Sequence, residues 1–274
     1  MAASTLAAPA ARARALVLLY HGVGPAGARP EARFTLPPQA FYDQLWMLRR
    51  LQQRGAITVM PLHAWWRGAP CRNRPVVLCF DDGFGSDLEV ALPALEQFGM
   101  PATFFLNTAQ IGRPGYLTWS GVRTLQRARM GIESHGHEHR ALTQLAPPAL
   151  AQQLCTARHR LQEGAGTPVQ FLAAPYGLWD QRVLEAARQA GFSALATSHP
   201  GLAAPGAACL ARNGIRARTS ARQLQRWLCR PASLVWPISR DYLLWTPKHI
   251  LMHCPRLRDR ITPLPVGQRS TSPY

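Results

Sequence analysis

Short apolar runs of strand length alternate with longer segments of helical spacing over the first two hundred residues. The strand-like runs cover residues 15–20, 57–60, 75–80, 102–106, 169–172 and 193–197. Segments with an apolar residue every three or four positions lie between these runs, at residues 37–54, 88–98, 120–129, 148–163 and 180–191. This alternation predicts an α/β domain whose parallel strands are joined by right-handed crossovers.

Polar residues and turns directly follow several of the predicted strands. Asp81 and Asp82 follow the run at residues 75–80, His21 follows the first run, and an Ala-Pro-Tyr-Gly turn at residues 174–177 follows a later one. The carboxyl ends of parallel strands meet at one edge of a sheet, and α/β enzymes place their chemistry there. We therefore expect these residues to form a site together.

The two adjacent acids and a histidine cluster indicate a metal site. Neighbouring buried carboxylates repel each other unless a cation compensates them. About fifty residues later, His135 and His139 stand four positions apart, so that a helical turn or a tight loop can direct both imidazoles at one ion. One acid and two imidazoles leave a coordination position open for water, and the second acid can then serve as general base. His137 lies between the two histidines and is assigned no role.

Composition supports a well-packed globular protein. The 274 residues are 47% hydrophobic and only 16% charged, which suits one large α/β domain. The net charge of +17 is almost entirely arginine, with Lys248 the single lysine, so we attribute it to coding bias and expect no nucleic-acid partner. Twelve basic residues lie after Gly206, interleaved with tryptophans, which is compatible with peripheral contact between this C-terminal region and an anionic membrane.

The chain divides by composition into three parts. We expect an N-terminal tail at residues 1–14, a catalytic domain at residues 15–204, and a basic extension containing proline and tryptophan at residues 205–274. Six scattered cysteines without a C-x-x-C pair predict reduced thiols. No signal peptide or apolar stretch of eighteen residues is present in the pattern, which favours a cytoplasmic location, at most peripheral to the membrane.

Three ordered motifs resemble those of the polysaccharide deacetylases, carbohydrate esterase family 4 with the NodB homology domain. They are the Cys-Phe-Asp-Asp-Gly sequence of residues 79–83, Ser134-His135 with His139, and residues 171–177. The similarity spans roughly residues 17–202. It implies that the domain at 15–204 is a distorted (β/α) barrel with a divalent ion, usually zinc. It also implies that this domain removes acetyl groups from an N-acetylated glycan.

The resemblance also implies a role for each matching residue. Asp81 would be the general base, and Asp82 would be a metal ligand together with His135 and His139. Tyr176 would offer its backbone N–H to the oxyanion that develops during hydrolysis.

Two departures from the family pattern concern the groups around the acids. Many members have an arginine two positions before the proline of the third motif, where this chain has Ala173. Arg212 is the candidate to supply the missing cation beside Asp81. The general acid is either His21 or His253, and we favour His21, which resembles the N-terminal Tyr-His of circularly permuted relatives that act on poly-N-acetylglucosamine. Its imidazole must be protonated to act, so we expect a carboxylate or a hydrogen bond to hold its pKa up.

Two other functions fit parts of the pattern. A ferrous-iron oxygenase uses two histidines and one carboxylate, although its ligands usually read His-x-Asp. A catalytically degenerate carbohydrate-binding protein would keep the fold without the reaction, although the ligand residues here are intact. The sequence leaves the glycan, the identity of the metal and the oligomeric state open.

Overall fold

The computed structural model describes residues 13–24 and 33–229, and within them nine strands form a single sheet. Every strand pairing in it is parallel, as the alternation of elements predicts. The strands are Leu16–Tyr20 (β1), Ile57–Val59 (β2), Arg74–Asp82 (β3), Thr103–Leu106 (β4), Gly131–Ser134 (β5), Phe171–Ala173 (β6), Ala194–Ala196 (β7), Cys209–Leu210 (β8) and Asn213–Gly214 (β9).

The strand order makes the sheet a distorted, open (β/α) barrel, which confirms the predicted fold class. The order is β8-β7-β6-β5-β4-β3-β1-β9, and β2 pairs with the first residues of β3. The sheet curls so that one face becomes an interior. The two shortest strands, β8 and β9, lie at the two ends of this order although only two residues separate them in sequence.

Helices cover the outer face of the sheet. They are Pro38–Gln53 (α1), Leu62–Trp66 (α2), Leu92–Phe98 (α3), Trp119–Arg127 (α4), Pro147–Ala165 (α5), Gln181–Gln189 (α6) and Ala221–Cys229 (α7). Thr118 caps α4 by accepting from Gly121 N–H, and Asp180 caps α6 by accepting from Val183 N–H. Among the helices of the described residues, none combines the length and apolar character needed to cross a bilayer.

Alternation along the strands decides which side chains face the interior. Leu78 and Phe80 of β3 pack beneath the helices, whereas Val77 and Cys79 join the apolar cluster on the inner face. Asp81 continues this inner series as its next member. The period of two therefore delivers the first acid into the barrel interior.

Helix α2 lies at the end of the barrel where the strands begin, opposite the end that carries Asp81. Its Trp65 is almost fully buried against the inner cluster, and its His63 Nε2 lies 2.6 Å from Glu133 Oε1. Glu133 Oε2 also accepts from the backbone N–H groups of Gln170 and Phe171. Burial raises the pKa of Glu133 above its ordinary value, and these partners only partly offset it. The strand carboxyl ends are left as the open side of the barrel.

The structure contains most of the helices and strands predicted from the hydrophobic pattern. It also contains several elements that this pattern did not predict. These additional elements are α2, β5, β8, β9 and α7. The sheet thus continues past residue 204, and the division of the chain at that residue stays a prediction. The tail before residue 13, the basic region after residue 229 and the candidate His253 lie outside the described residues. The five described cysteines are free thiols, as expected.

Candidate active site

The two acids end β3, and both carboxylates lie within 4.0 Å of Nε2 of His135. Asp81 is buried in the interior with 2% of its surface exposed. Asp82 has a positive φ of 80°, which turns its carboxylate out of the regular strand alternation. Gly83 follows with φ 74°, and a Cβ there would lie 3.0 Å from Leu106 Cδ2, so the turn needs glycine. This tight turn holds both carboxylates at the carboxyl edge of the sheet.

The two predicted histidine ligands reach Asp82 from the loop after β5. Nε2 of His135 lies 3.4 Å from Asp82 Oδ1, and Nε2 of His139 lies 3.3 Å from the same oxygen. One ligand atom from each of the three residues lies within 4.8 Å of the other two. The structure therefore brings together the three side chains that the spacing predicts, on a tight loop and not on a helical turn.

The hydrogen bonds of His135 suit a metal ligand. Its Nδ1 lies 2.9 Å from the carbonyl oxygen of Ala173, so this nitrogen donates and Nε2 is the one that faces Asp82. Burial lowers the pKa of His135, but Asp81 and Asp82 outweigh it and raise the pKa above its ordinary value. Two imidazole nitrogens that face one carboxylate oxygen are placed so that all three atoms can ligate one cation. The donor set of two nitrogens and one oxygen fits zinc or a similar divalent ion.

Arg212 is the cation beside Asp81. Its two terminal nitrogens donate to the two carboxylate oxygens at 2.7 Å and 2.9 Å, and its Nε donates to the carbonyl oxygen of Thr197 at 2.9 Å. The guanidinium also lies over the ring of Phe105 at 5.2 Å. Burial alone would raise the pKa of Asp81, but Arg212 outweighs it, so this pKa lies below its usual value. These contacts confirm that Arg212 reaches Asp81, and its substitution for the arginine missing at Ala173 stays a prediction.

The family model for polysaccharide deacetylases matches residues 69–195, the segment that carries both acids and both histidines. Residues 69–195 therefore form a segment of the polysaccharide deacetylase type. The resemblance inferred from the three motifs is thereby confirmed. Neither the iron oxygenase nor a degenerate binding protein is favoured by this match.

Individual relatives agree with the family match. YxkH of Bacillus subtilis (strain 168), whose name places it with the polysaccharide deacetylases, is 24% identical over 190 residues, covering 68% of this chain and 65% of its own length. A chitooligosaccharide deacetylase of Bradyrhizobium sp. (strain ANU 289) is 27% identical over 125 residues, covering 45% of this chain and 55% of its own length. The chain thus spans less than two thirds of each curated relative.

A solved structure supports the fold of the deacetylase domain. The Streptococcus pyogenes deacetylase PplD, crystallised in complex with acetate, superimposes with a TM-score of 0.71 at 21% identity. The alignment covers 78% of this chain and 97% of that protein. The deacetylase domain therefore has the distorted barrel of that structure.

His21 lies close enough to the acids to respond to their charge. Burial lowers the pKa of His21, while Asp82 and Asp81 act in the opposite direction. The ring stacks on Phe34 at 5.0 Å, and its buried Nδ1 has no hydrogen-bond partner among the described residues. The expected hydrogen bond that would hold this pKa up is therefore absent there, and the carboxylates only partly offset burial. The choice between His21 and His253 stays a prediction.

Tyr176 borders the predicted metal ligands within the deacetylase domain. Its ring centroid lies 4.7 Å from that of His139, and its backbone has a positive φ of 60°. A non-glycine residue in this region costs energy and commonly occurs at functional sites. The position agrees with the predicted oxyanion contact, but the role of its N–H stays a prediction.

Sequence reasoning missed the residues that fasten the histidine loop to β4. Thr108 Oγ1 lies 2.7 Å from His137 Nδ1, and Thr108 N–H donates to the carbonyl of Gly136 at 3.3 Å. Asn107, one position earlier, is 2% exposed. The signal was available, because Asn-Thr directly follows a predicted strand just as the catalytic candidates do.

Proposed function

We propose that this domain is a metal-dependent hydrolase that removes N-acetyl groups from an amino-sugar-containing glycan. The main support is the convergence of Asp82, His135 and His139 on one point, directly beside the Asp81–Arg212 pair. With an ion bound, such a site would combine a Lewis acid with a charged base at the carboxyl edge of the barrel.

Asp82, His135 and His139 would hold the divalent ion, most simply zinc. When bound there, the ion would act as a Lewis acid that makes water more acidic and polarises the acetyl carbonyl. The carbonyl of Ala173 fixes the orientation of His135 and so belongs to the same arrangement.

Asp81 is the proton acceptor in this proposal. Its lowered pKa keeps it a carboxylate, and its Oδ2 lies 4.0 Å from His135 Nε2, close enough for a water molecule beside the ligands to reach it. The water oxygen attacks the acetyl carbon while Asp81 takes a proton. The backbone N–H of Tyr176 donates to the carbonyl oxygen as that oxygen becomes negative.

His21 completes the reaction by protonating the departing nitrogen. The carbon–nitrogen bond then breaks, and the products are acetate and the free amino sugar. Because its pKa is lowered, His21 is neutral near pH 7 before reaction and must receive its proton during the cycle. Asp81, which has just accepted a proton and is electrostatically coupled to His21, is the proposed source.

Metal analysis combined with acetate release tests the proposed function. Purified protein is expected to retain about one zinc per chain and to release equal amounts of acetate and free amine from a panel of N-acetylated chitooligosaccharides and peptidoglycan fragments. Chelation should remove this activity and zinc should restore it. Zinc-loaded protein that releases no acetate from any member would contradict the proposal. Oxygen consumption with ferrous iron would favour an oxygenase instead.

Replacing His21 should separate chemistry from metal binding. We expect His21→Ala to lower kcat by about 10²- to 10⁴-fold, the usual contribution of a general acid, with little change in zinc affinity. Steady-state kinetics and zinc titration measure the two effects. His253→Ala is the matched comparison, because a wild-type rate in His21→Ala together with an inactive His253→Ala would transfer the acid role to His253.

A further inference from the structure

We infer that Asn107 is a positioning residue that holds the loop carrying His139 in its ligand-binding conformation. The inference rests on the proposed function, because it concerns the same three ligands. It assigns a role to a buried amide that neither the motifs nor the family match singles out.

Asn107 bridges two backbone groups on either side of Glu138. Its side-chain oxygen accepts from the N–H of His139 at 2.7 Å, and its side-chain nitrogen donates to the carbonyl oxygen of His137. The orientation of the amide is assigned from these partners, because only this orientation places each of its polar ends against a complementary group. Because Asn107 is only 2% exposed, water does not readily take over these bonds.

The segment held by Asn107 is strained and has no regular hydrogen bonding of its own. His139 adopts a φ of 52° and Gly136 a φ of 81°, and residues 135–140 belong to no helix or strand. The backbone bonds from β4 and the residues after it reach only the first half of the loop: His135 N–H donates to Leu106, Thr108 N–H donates to Gly136, and Ala109 N–H donates to His137. Among the described contacts, Asn107 is therefore the link from the segment after β4 to the backbone of His139 itself.

This link fixes a ligand and not merely a loop. Nε2 of His139 lies 3.3 Å from Asp82 Oδ1, while 28% of the His139 side chain is exposed, so packing alone restrains it weakly. The backbone position set by Asn107 decides where the imidazole projects. Loss of a group that orients a metal ligand typically lowers metal affinity by about 10- to 100-fold.

Metal titration of Asn107 variants tests this role. Asn107→Leu keeps a similar volume without polar atoms, and Asn107→Ala removes the side chain altogether. We expect both to bind Co²⁺ about 10- to 100-fold more weakly than the wild type, measured by cobalt absorption spectra and confirmed by zinc calorimetry. Asn107→Asp keeps the acceptor for the His139 N–H and is expected to bind more tightly than Asn107→Leu.

Gln44→Leu is the matched control for loss of a buried amide. Gln44 is fully buried and bridges the Tyr20 hydroxyl and the carbonyl of Thr219, away from the candidate ligands. The Gln44→Leu variant should lower the melting temperature of the metal-free protein without changing its cobalt affinity or the spectrum of the bound cobalt. If Asn107→Ala fails to fold, the cobalt titration is carried out on folded Asn107→Leu and Asn107→Asp instead.

The outcomes separate this inference from the proposed function. Wild-type affinity and an unchanged cobalt spectrum in folded Asn107→Leu would overturn the positioning role while leaving the hydrolase intact. Conversely, wild-type protein that binds zinc but releases no acetate would contradict the reaction, whereas weakened binding in the variants would still support the role of Asn107.

Discussion

Asp82→Ala and His139→Ala are each expected to abolish both metal retention and acetate release. Either change removes one of three protein ligands, and two remaining ligands hold a divalent ion much less tightly. The loss in kcat/KM should exceed about 10³-fold, because the electrophilic stabilisation of the carbonyl oxygen disappears with the ion. Metal content by elemental analysis and initial rates of acetate release measure the two losses.

His159→Ala is the control for removing an imidazole. His159 lies on the exposed surface of α5, where it pairs with Glu163, and its loss should leave metal content and rate unchanged. Metal-free Asp82→Ala that still releases acetate at the wild-type rate would contradict the assignment of these ligands.

Arg212→Met is expected to destabilise the protein and to shift its pH profile. The variant leaves Asp81 buried without its partner, and breaking a buried pair from one side costs about 3–5 kcal/mol of unfolding free energy. Arg212 is the strongest of the groups that lower the pKa of Asp81, so this pKa rises when Arg212 is removed. The acidic limb of kcat/KM should therefore move to higher pH. Denaturant unfolding and a pH–rate profile measure the two effects.

The sign of the pH effect on stability also follows. Because the folded pKa of Asp81 lies below its unfolded value, the pair stabilises the wild type above the ordinary aspartate pKa and loses this contribution as pH falls through the lower, folded value. The difference in unfolding free energy between wild type and Arg212→Met should hence be full near pH 7 and shrink in acid. An equal difference at all pH values would contradict this account.

Two further variants isolate the part played by geometry. Arg212→Lys keeps a positive charge but cannot make the two-pronged contact, so its acidic limb should lie between those of the wild type and Arg212→Met. The double variant Asp81→Leu/Arg212→Met removes both charges and should recover much of the lost stability without activity. An unshifted acidic limb in Arg212→Met would show that Arg212 does not set the ionisation of Asp81.

The cluster of candidate metal ligands could be predicted because its signals are local. Asp82 ends an apolar run, and His135 and His139 stand at a fixed spacing in one short segment. The turn that aims Asp82 could not be predicted in the same way. Its φ of 80° belongs to a residue other than glycine, and side-chain type carries little information about such a conformation.

The position of Arg212 beside Asp81 could not be predicted from the hydrophobic pattern. It is separated by 131 residues from Asp81 and lies between two strands of two residues each. Strands this short show no period of two that a sequence pattern can reveal. Only the family's expectation of a cation near Ala173 made Arg212 a candidate, and only the fold shows that it reaches the acid. Asn107 directly follows a predicted strand, but its partners could not be predicted, because they are backbone groups that any sequence would supply.

The pairing of β9 with β1 has a consequence for how this chain can be shortened. Residues Asn213 and Gly214 align with Leu18 and Leu19, which brings Arg212 to the interior beside Asp81. A fragment that stops at residue 204 would keep every recognisable motif and yet leave an acid in the barrel with no counter-ion. We therefore expect a fragment that ends at residue 214 to be more stable than one that ends at residue 204, although both contain every recognisable motif.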